Sequence, residues 1–191
     1  MIVGGIDPGL RETAVALVDV RTCEVLVTWL TRNPEKERAG VEAWEAMAHA
    51  LAGRLAAELG ARALPAPSLL VIEDQWISPP RRAKPGEDAK RTFNPSQIVN
   101  LAHVVGAIMV TLPAARKLKV MPSTWKGGST RGRANKAAVN KLTWATMTPG
   151  EKLNADGAET YLGHNVKDSI GIAKWAARNF ARLVAEIDGH G

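Results

Sequence analysis

Apolar residues along this chain switch between strand-like runs and helix-like spacing. Residues 3–6 form a short apolar run that stops at Asp7-Pro8-Gly9, which reads as a strand followed by a turn. Segments 13–20 and 24–30 are rich in Val, Leu and Thr and flank a turn-prone stretch at 19–23, so a hairpin is expected there. The period then changes. Asn33-Pro34 has the chemistry of a helix N-cap with proline at the first helical position, and Glu35 and Glu37 follow in the first turn. Val41, Trp44, Ala48, Leu51, Leu55 and Leu59 recur at helical spacing, one apolar face that Gly60 closes. Residues 69–72 (Leu-Leu-Val-Ile) are a continuous apolar run, expected as a strand buried on both faces and ending at Glu73. Asn94-Pro95 opens a helix carrying Ile98, Leu101, Ala102, Val105, Ile108 and Met109. A strand over 118–121, a helix over 135–145 and a last helix from near Asn165 past Leu183 complete the order. Meander strands followed by strand–helix alternation predict an α/β chain, a mixed five-stranded sheet flanked by α-helices, in one domain over 1–191.

Composition narrows the class. A hydrophobic share of 46% suits a packed core rather than a disordered chain. The lone Cys23 excludes an internal disulfide and a cysteine-based zinc cluster. No apolar run approaches ~20 residues, and the first residues lack the basic and long apolar regions of a signal peptide, so a cytoplasmic protein without a membrane span is expected. The net charge of +6 is unevenly spread. Residues 76–141 hold 13 Lys/Arg against Glu87 and Asp88, whereas the remainder holds 12 bases and 17 acids. A basic middle beside an acidic remainder suggests a polyanion-binding surface, although a solvated basic face has the same composition. Arg81, Arg82, Lys90, Arg91, Arg131 and Arg133 lie in two Pro- or Gly-rich loops, where they are expected to contact phosphates rather than bases.

The acids carry the candidate chemistry. Asp7 and Glu73 each follow an apolar strand, and ligand sites of open α/β sheets collect at such C-terminal strand ends. Asp168 lies near the start of the last helix, which could lay it across the same edge. Converging carboxylates repel one another, and a divalent ion resolves that conflict. Oxygen-only ligands suit magnesium, with manganese as a substitute. Two ions about 3.5–4 Å apart can activate a water and stabilise the leaving oxygen of a phosphodiester. Taken singly, each acid has a plainer role. Asp-Pro-Gly is a common turn, Glu73 can pair with a base, and Asp168 suits a helix N-terminus.

The segments Gly5-Ile6-Asp7-Pro8-Gly9 with Thr13-Ala14, Val71-Ile72-Glu73, and 168–173 (Asp-Ser-Ile-Gly-Ile-Ala), in this order, resemble the RuvC-type Holliday-junction resolvases of the ribonuclease H-like superfamily. The resemblance spans nearly the whole chain. It implies a homodimer cutting four-way DNA junctions, with Asp7, Glu73 and Asp168 as catalytic metal ligands. It also implies that Trp76 is an aromatic wedge at the junction, that the helix through 98–109 is the dimerisation helix, and that Lys126 and Lys136 are DNA-contacting bases. Trp125-Lys126, following Pro122, could place an aromatic anchor and a phosphate-binding lysine at the rim of the site. Trp76 and Trp125 are equally compatible with ordinary core, as is the 98–109 helix face.

Two departures from the family pattern bear on the site. The fourth ligand, Asp or His three residues before the last Asp, is replaced by Asn165, with His164 one residue earlier. A helix starting there puts His164 and Asp168 on one face, roughly 5–6 Å apart at Cβ. Histidine can ligate metal or shuttle a proton, so His164 is favoured over Asn165 as a catalytic and metal-binding residue. The basic insertion over 79–91 suits a wider range of branched substrates, or a solvated loop. The altered ligand pattern suits a divergent branch, either cellular or phage-encoded and acting in the host cytoplasm. Competing functions are a structured-RNA-processing nuclease of the same fold, a non-catalytic branched-DNA-binding relative, and an actin-like phosphotransferase, whose usual second domain and phosphate loop are missing from the sequence.

Overall fold

Side-chain alternation along the first strand divides the molecule into layers. In the computed structural model, which describes residues 1–34, 40–74, 95–126 and 164–189, β1 (Ile2–Asp7) sends Ile2 and Ile6 to one face and Val3 to the other. β2 (Glu12–Asp19) and β3 (Val25–Arg32) extend the sheet antiparallel on one side of β1. β4 (Leu69–Glu73) and β5 (Lys117–Val120) extend it parallel on the other. The order is β3-β2-β1-β4-β5, the mixed five-stranded sheet expected from the sequence.

Two helices cover one face. α1 (Val41–Ala61) and α2 (Pro95–Thr111) bury Met47, Leu51, Leu55, Val104, Val105 and Ile108 against Ile6, Leu17, Leu70 and Ile72. A short α3 (Pro122–Trp125) follows β5, with Pro122 at the first helical position. α4 (His164–Arg178) covers the opposite face, where Ala14, Ala16, Ala173 and Ala177 allow close packing. The approach is tightest at Gly5. A Cβ there would run into the Ser169 carbonyl oxygen and the Ala173 nitrogen, so the α4 backbone lies directly on β1. α5 (Phe180–Gly189) follows after a turn at Asn179. No helix among the described residues is long and apolar enough to cross a membrane.

Three local expectations change. Asn33 is not the N-cap of α1. It is buried, and its Nδ2 donates to the carbonyls of Leu10 and Ala43, which ties the end of β3 to the first turn of α1. The helix starts later, after Gly40 at φ 136°. Its buried face runs through Ala43 and Met47, with Val41 exposed and Trp44 half-buried on its flank. The last helix is also not continuous. The Asn179 side chain donates to the Trp175 carbonyl at 2.8 Å, competing with the backbone ladder and separating α4 from α5. The helix expected over 135–145 lies outside the described residues.

Candidate functional site

β1 and β4 are parallel neighbours paired as Ile6↔Ile72, so Asp7 and Glu73 emerge together at their C-terminal ends. Alternation sends both to the α4 face. Asp7 shares parity with Val3 and Gly5, and Glu73 with Leu69 and Val71, and Val3, Leu69 and Val71 pack under α4. The helix supplies Asp168 one residue before Ser169, whose carbonyl oxygen abuts Gly5. The close approach at glycine is thus what lets an α4 carboxylate reach the strand ends. Asp7, Glu73 and Asp168 are 8%, 5% and 1% exposed. Ionised carboxylates buried this deeply require strong compensating partners.

Part of that compensation comes from Trp125 and Lys126, which follow β5 at the same end of the sheet. The Trp125 indole N–H donates to Glu73 Oε2 at 2.7 Å. Lys126 Nζ donates to the same oxygen at 3.3 Å and to Asp168 Oδ2 at 3.1 Å. The ammonium also sits 4.3 Å from the Trp125 ring centroid, within cation–π range. The ring rests on α4 because Gly171 leaves space, since a Cβ there would stand 2.5 Å from Trp125 Cζ3. Two carboxylates therefore close around one cation in a largely buried pocket. Among the described residues, no three His, Cys, Asp or Glu side chains are gathered as a metal-ligand group, and the charge contacting Glu73 and Asp168 is an ammonium.

The remaining candidates divide clearly. Lys126 lies inside the acidic cluster rather than projecting to solvent. Asn165 is half-buried in the first turn of α4, one turn before Asp168. His164 opens α4, and its side chain lies outside what the structure describes. Trp76, Arg81, Arg82, Lys90, Arg91, Arg131, Arg133 and Lys136 lie outside the described residues. Sequence reasoning missed the bond from Trp125 to Glu73. The sequence places the Trp125-Lys126 pair at the rim as an aromatic anchor and a phosphate contact, and in the structure both side chains donate to Glu73.

No protein-family model matches the chain, and no curated protein matches it. Solved structures do. Thermus thermophilus RuvC in complex with a Holliday junction substrate is 17% identical with a TM-score of 0.58, covering 96% of this chain and 96% of that one. The fold is that of RuvC. A second Thermus thermophilus RuvC structure, 16% identical over 96% of this chain and 97% of that chain, has a TM-score of 0.55. The fowlpox virus Holliday junction resolvase has a TM-score of 0.52 at 13% identity, covering 94% of this chain and 99% of its own. The RuvC-like architecture thus extends over nearly the full length of each chain.

Proposed function

We propose that this protein is a divalent-metal-dependent endonuclease that resolves four-way DNA junctions, and cuts other branched DNA, by phosphodiester hydrolysis. The carrying observation is the cluster itself. Buried Glu73 from the end of β4 and Asp168 from α4 already share one cation, and buried Asp7 ends β1, the parallel neighbour of β4. Its donors are hard oxygens, which fit magnesium or manganese better than a softer metal. Asp7, Glu73 and Asp168 would hold the ions, two per site, with His164 or Asn165 as a further ligand one turn before Asp168. When bound, the metal supplies Lewis-acid polarisation of the phosphate and a water of lowered pKa.

The chain's own residues would do the rest. The Trp125 N–H fixes one oxygen of Glu73, and the His164 imidazole is in sequence position to accept a proton at a ring nitrogen. Arg81, Arg82, Lys90, Arg91, Arg131, Arg133 and Lys136 would grip phosphates along the arms, and Trp76 would wedge at the branch point. A junction with two-fold symmetry is matched by a two-fold homodimer. The RuvC-like fold supports this reading, as does the excess of bases in residues 76–141.

The test is cleavage of a synthetic four-way junction with magnesium. Wild type should cut it, and Asp7→Asn should cut roughly a thousandfold or more slowly while binding the junction as well or better. Near wild-type cutting by Asp7→Asn would remove the site assignment. Cleavage of structured RNA in preference to junction DNA would keep the chemistry and change the substrate.

A further inference from the structure

Glu73 Oε2 accepts from two donors of opposite character. The Trp125 indole is rigid and wedged, buried among Val3, Val71 and Ile172 with its ring seated on Gly171. The Lys126 ammonium is a compact charge on a flexible four-carbon stem, and its side chain retains some solvent access. One donor is built to stay and the other is able to leave. Lys126 also bridges Glu73 to Asp168, so its charge stands between two of the carboxylates that a divalent ion would need. An ammonium and a divalent ion compete for the same oxygens, and their mutual repulsion favours one occupant at a time.

We propose that Trp125 is a positioning residue for the metal site and that Lys126 is a tethered counter-cation that the incoming ion displaces. Without metal, Lys126 holds Glu73 and Asp168 together and relieves their repulsion. With metal, Lys126 withdraws toward solvent, where it can meet a phosphate, and Trp125 keeps Glu73 oriented through the exchange. This inference rests on the metal-site reading above and assigns separate jobs to two neighbouring side chains.

The experiment is a calorimetric titration of Mn2+ into the full chain without DNA, paired with melting curves with and without the ion. Trp125→Phe keeps the ring and removes the donor. It should weaken Mn2+ binding by roughly 10–100-fold, as loss of a partner that orients a ligand does. Lys126→Met and Lys126→Gln should do the opposite, binding Mn2+ roughly tenfold or more tightly while melting lower without it. A purely structural Trp125 would lower both melting curves and leave the affinity untouched, which overturns the positioning role. Unchanged or weaker Mn2+ binding in both Lys126 variants overturns the counter-cation role. If wild type itself takes up no Mn2+, the metal-site reading fails as well, an outcome distinct from the other two.

Discussion

A methyl group added at Gly5 and one added at Gly53 should act in opposite directions. At Gly5 the new Cβ meets α4 backbone atoms of Ser169 and Ala173, which cannot rotate away. The helix must lift from β1, and Asp168 lifts with it. Overpacking against backbone is expected to cost about 3 kcal/mol or more, a drop of about 6–12 °C in melting temperature for a chain of this size. Gly53 lies on the exposed side of α1, with nothing within 4 Å of an added Cβ. Gly53→Ala should raise stability by roughly 0.5–1 kcal/mol, because alanine loses less backbone entropy in a helix. Thermal melts of the two variants check both signs. Gly5→Ala should also impair Mn2+ binding, since it moves a ligand-bearing helix, whereas Gly53→Ala should not. If Gly5→Ala melts like wild type, α4 does not rest on β1 as described, and Asp168 loses its route to the strand ends.

The elements show what a sequence exposes and what it conceals. The strands ending at Asp7 and Glu73 were legible because a buried parallel strand is a plain apolar run, and an acid terminating such a run stands out. The start of α1 was not legible. Asn33-Pro34 carries cap chemistry, yet the same amide serves equally well as a buried tie between Leu10 and Ala43. The break at Asn179 was hidden because apolar spacing continues from Ala176 to Leu183 across it. The Trp125–Glu73 bond joins residues 52 apart in the chain, and no local pattern encodes such a meeting. α2 raises the question of what its outer face is for. Val99 and Val110 are 52% and 84% exposed, and the exposed Ala102 and Gly106 lie between them at helical spacing. Small residues flanked by valines suit close approach of a second helix, in keeping with the homodimer proposed above. Val110→Asp should therefore weaken self-association by tenfold or more, roughly the effect of 1.4 kcal/mol, as read by sedimentation equilibrium. A wild-type protein that stays monomeric at assay concentrations while resolving junctions would dispose of the dimer.

On the scale of the whole molecule, the basic middle divides into bases engaged within the fold and bases that lie outside the described residues. Residues 76–141 contain 13 Lys/Arg, of which Arg116, Lys117, Lys119 and Lys126 fall among the described residues. Each of these four has an intramolecular partner. Arg116 pairs with Asp188 at 2.7 Å, Lys119 with Asp74 at 3.3 Å, and Lys117 donates to the Met109 carbonyl at 2.7 Å. Lys126 bridges the acidic cluster. The phosphate grip proposed above is therefore tested first on the other bases, in the 81–91 and 131–141 segments, with Lys126 able to join them only once metal has displaced it. Counterion release makes this measurable, because each phosphate neutralised contributes about −0.9 to the slope of log affinity against log salt. Replacing Arg81 and Arg82 together with alanine should flatten the slope by about two for each protomer engaged, and Arg131 with Arg133 should do the same. Replacing Arg116 and Lys119 should leave the slope near wild type, because their charges are already satisfied within the fold. Measuring in the Asp7→Asn background keeps the junction intact, and fluorescence anisotropy from low to moderate salt gives the slopes. A steep loss from Arg116 and Lys119 together with no loss from the 81–82 pair would move the DNA path onto the β5 edge of the sheet. The 81–82 pair would then have no part in binding.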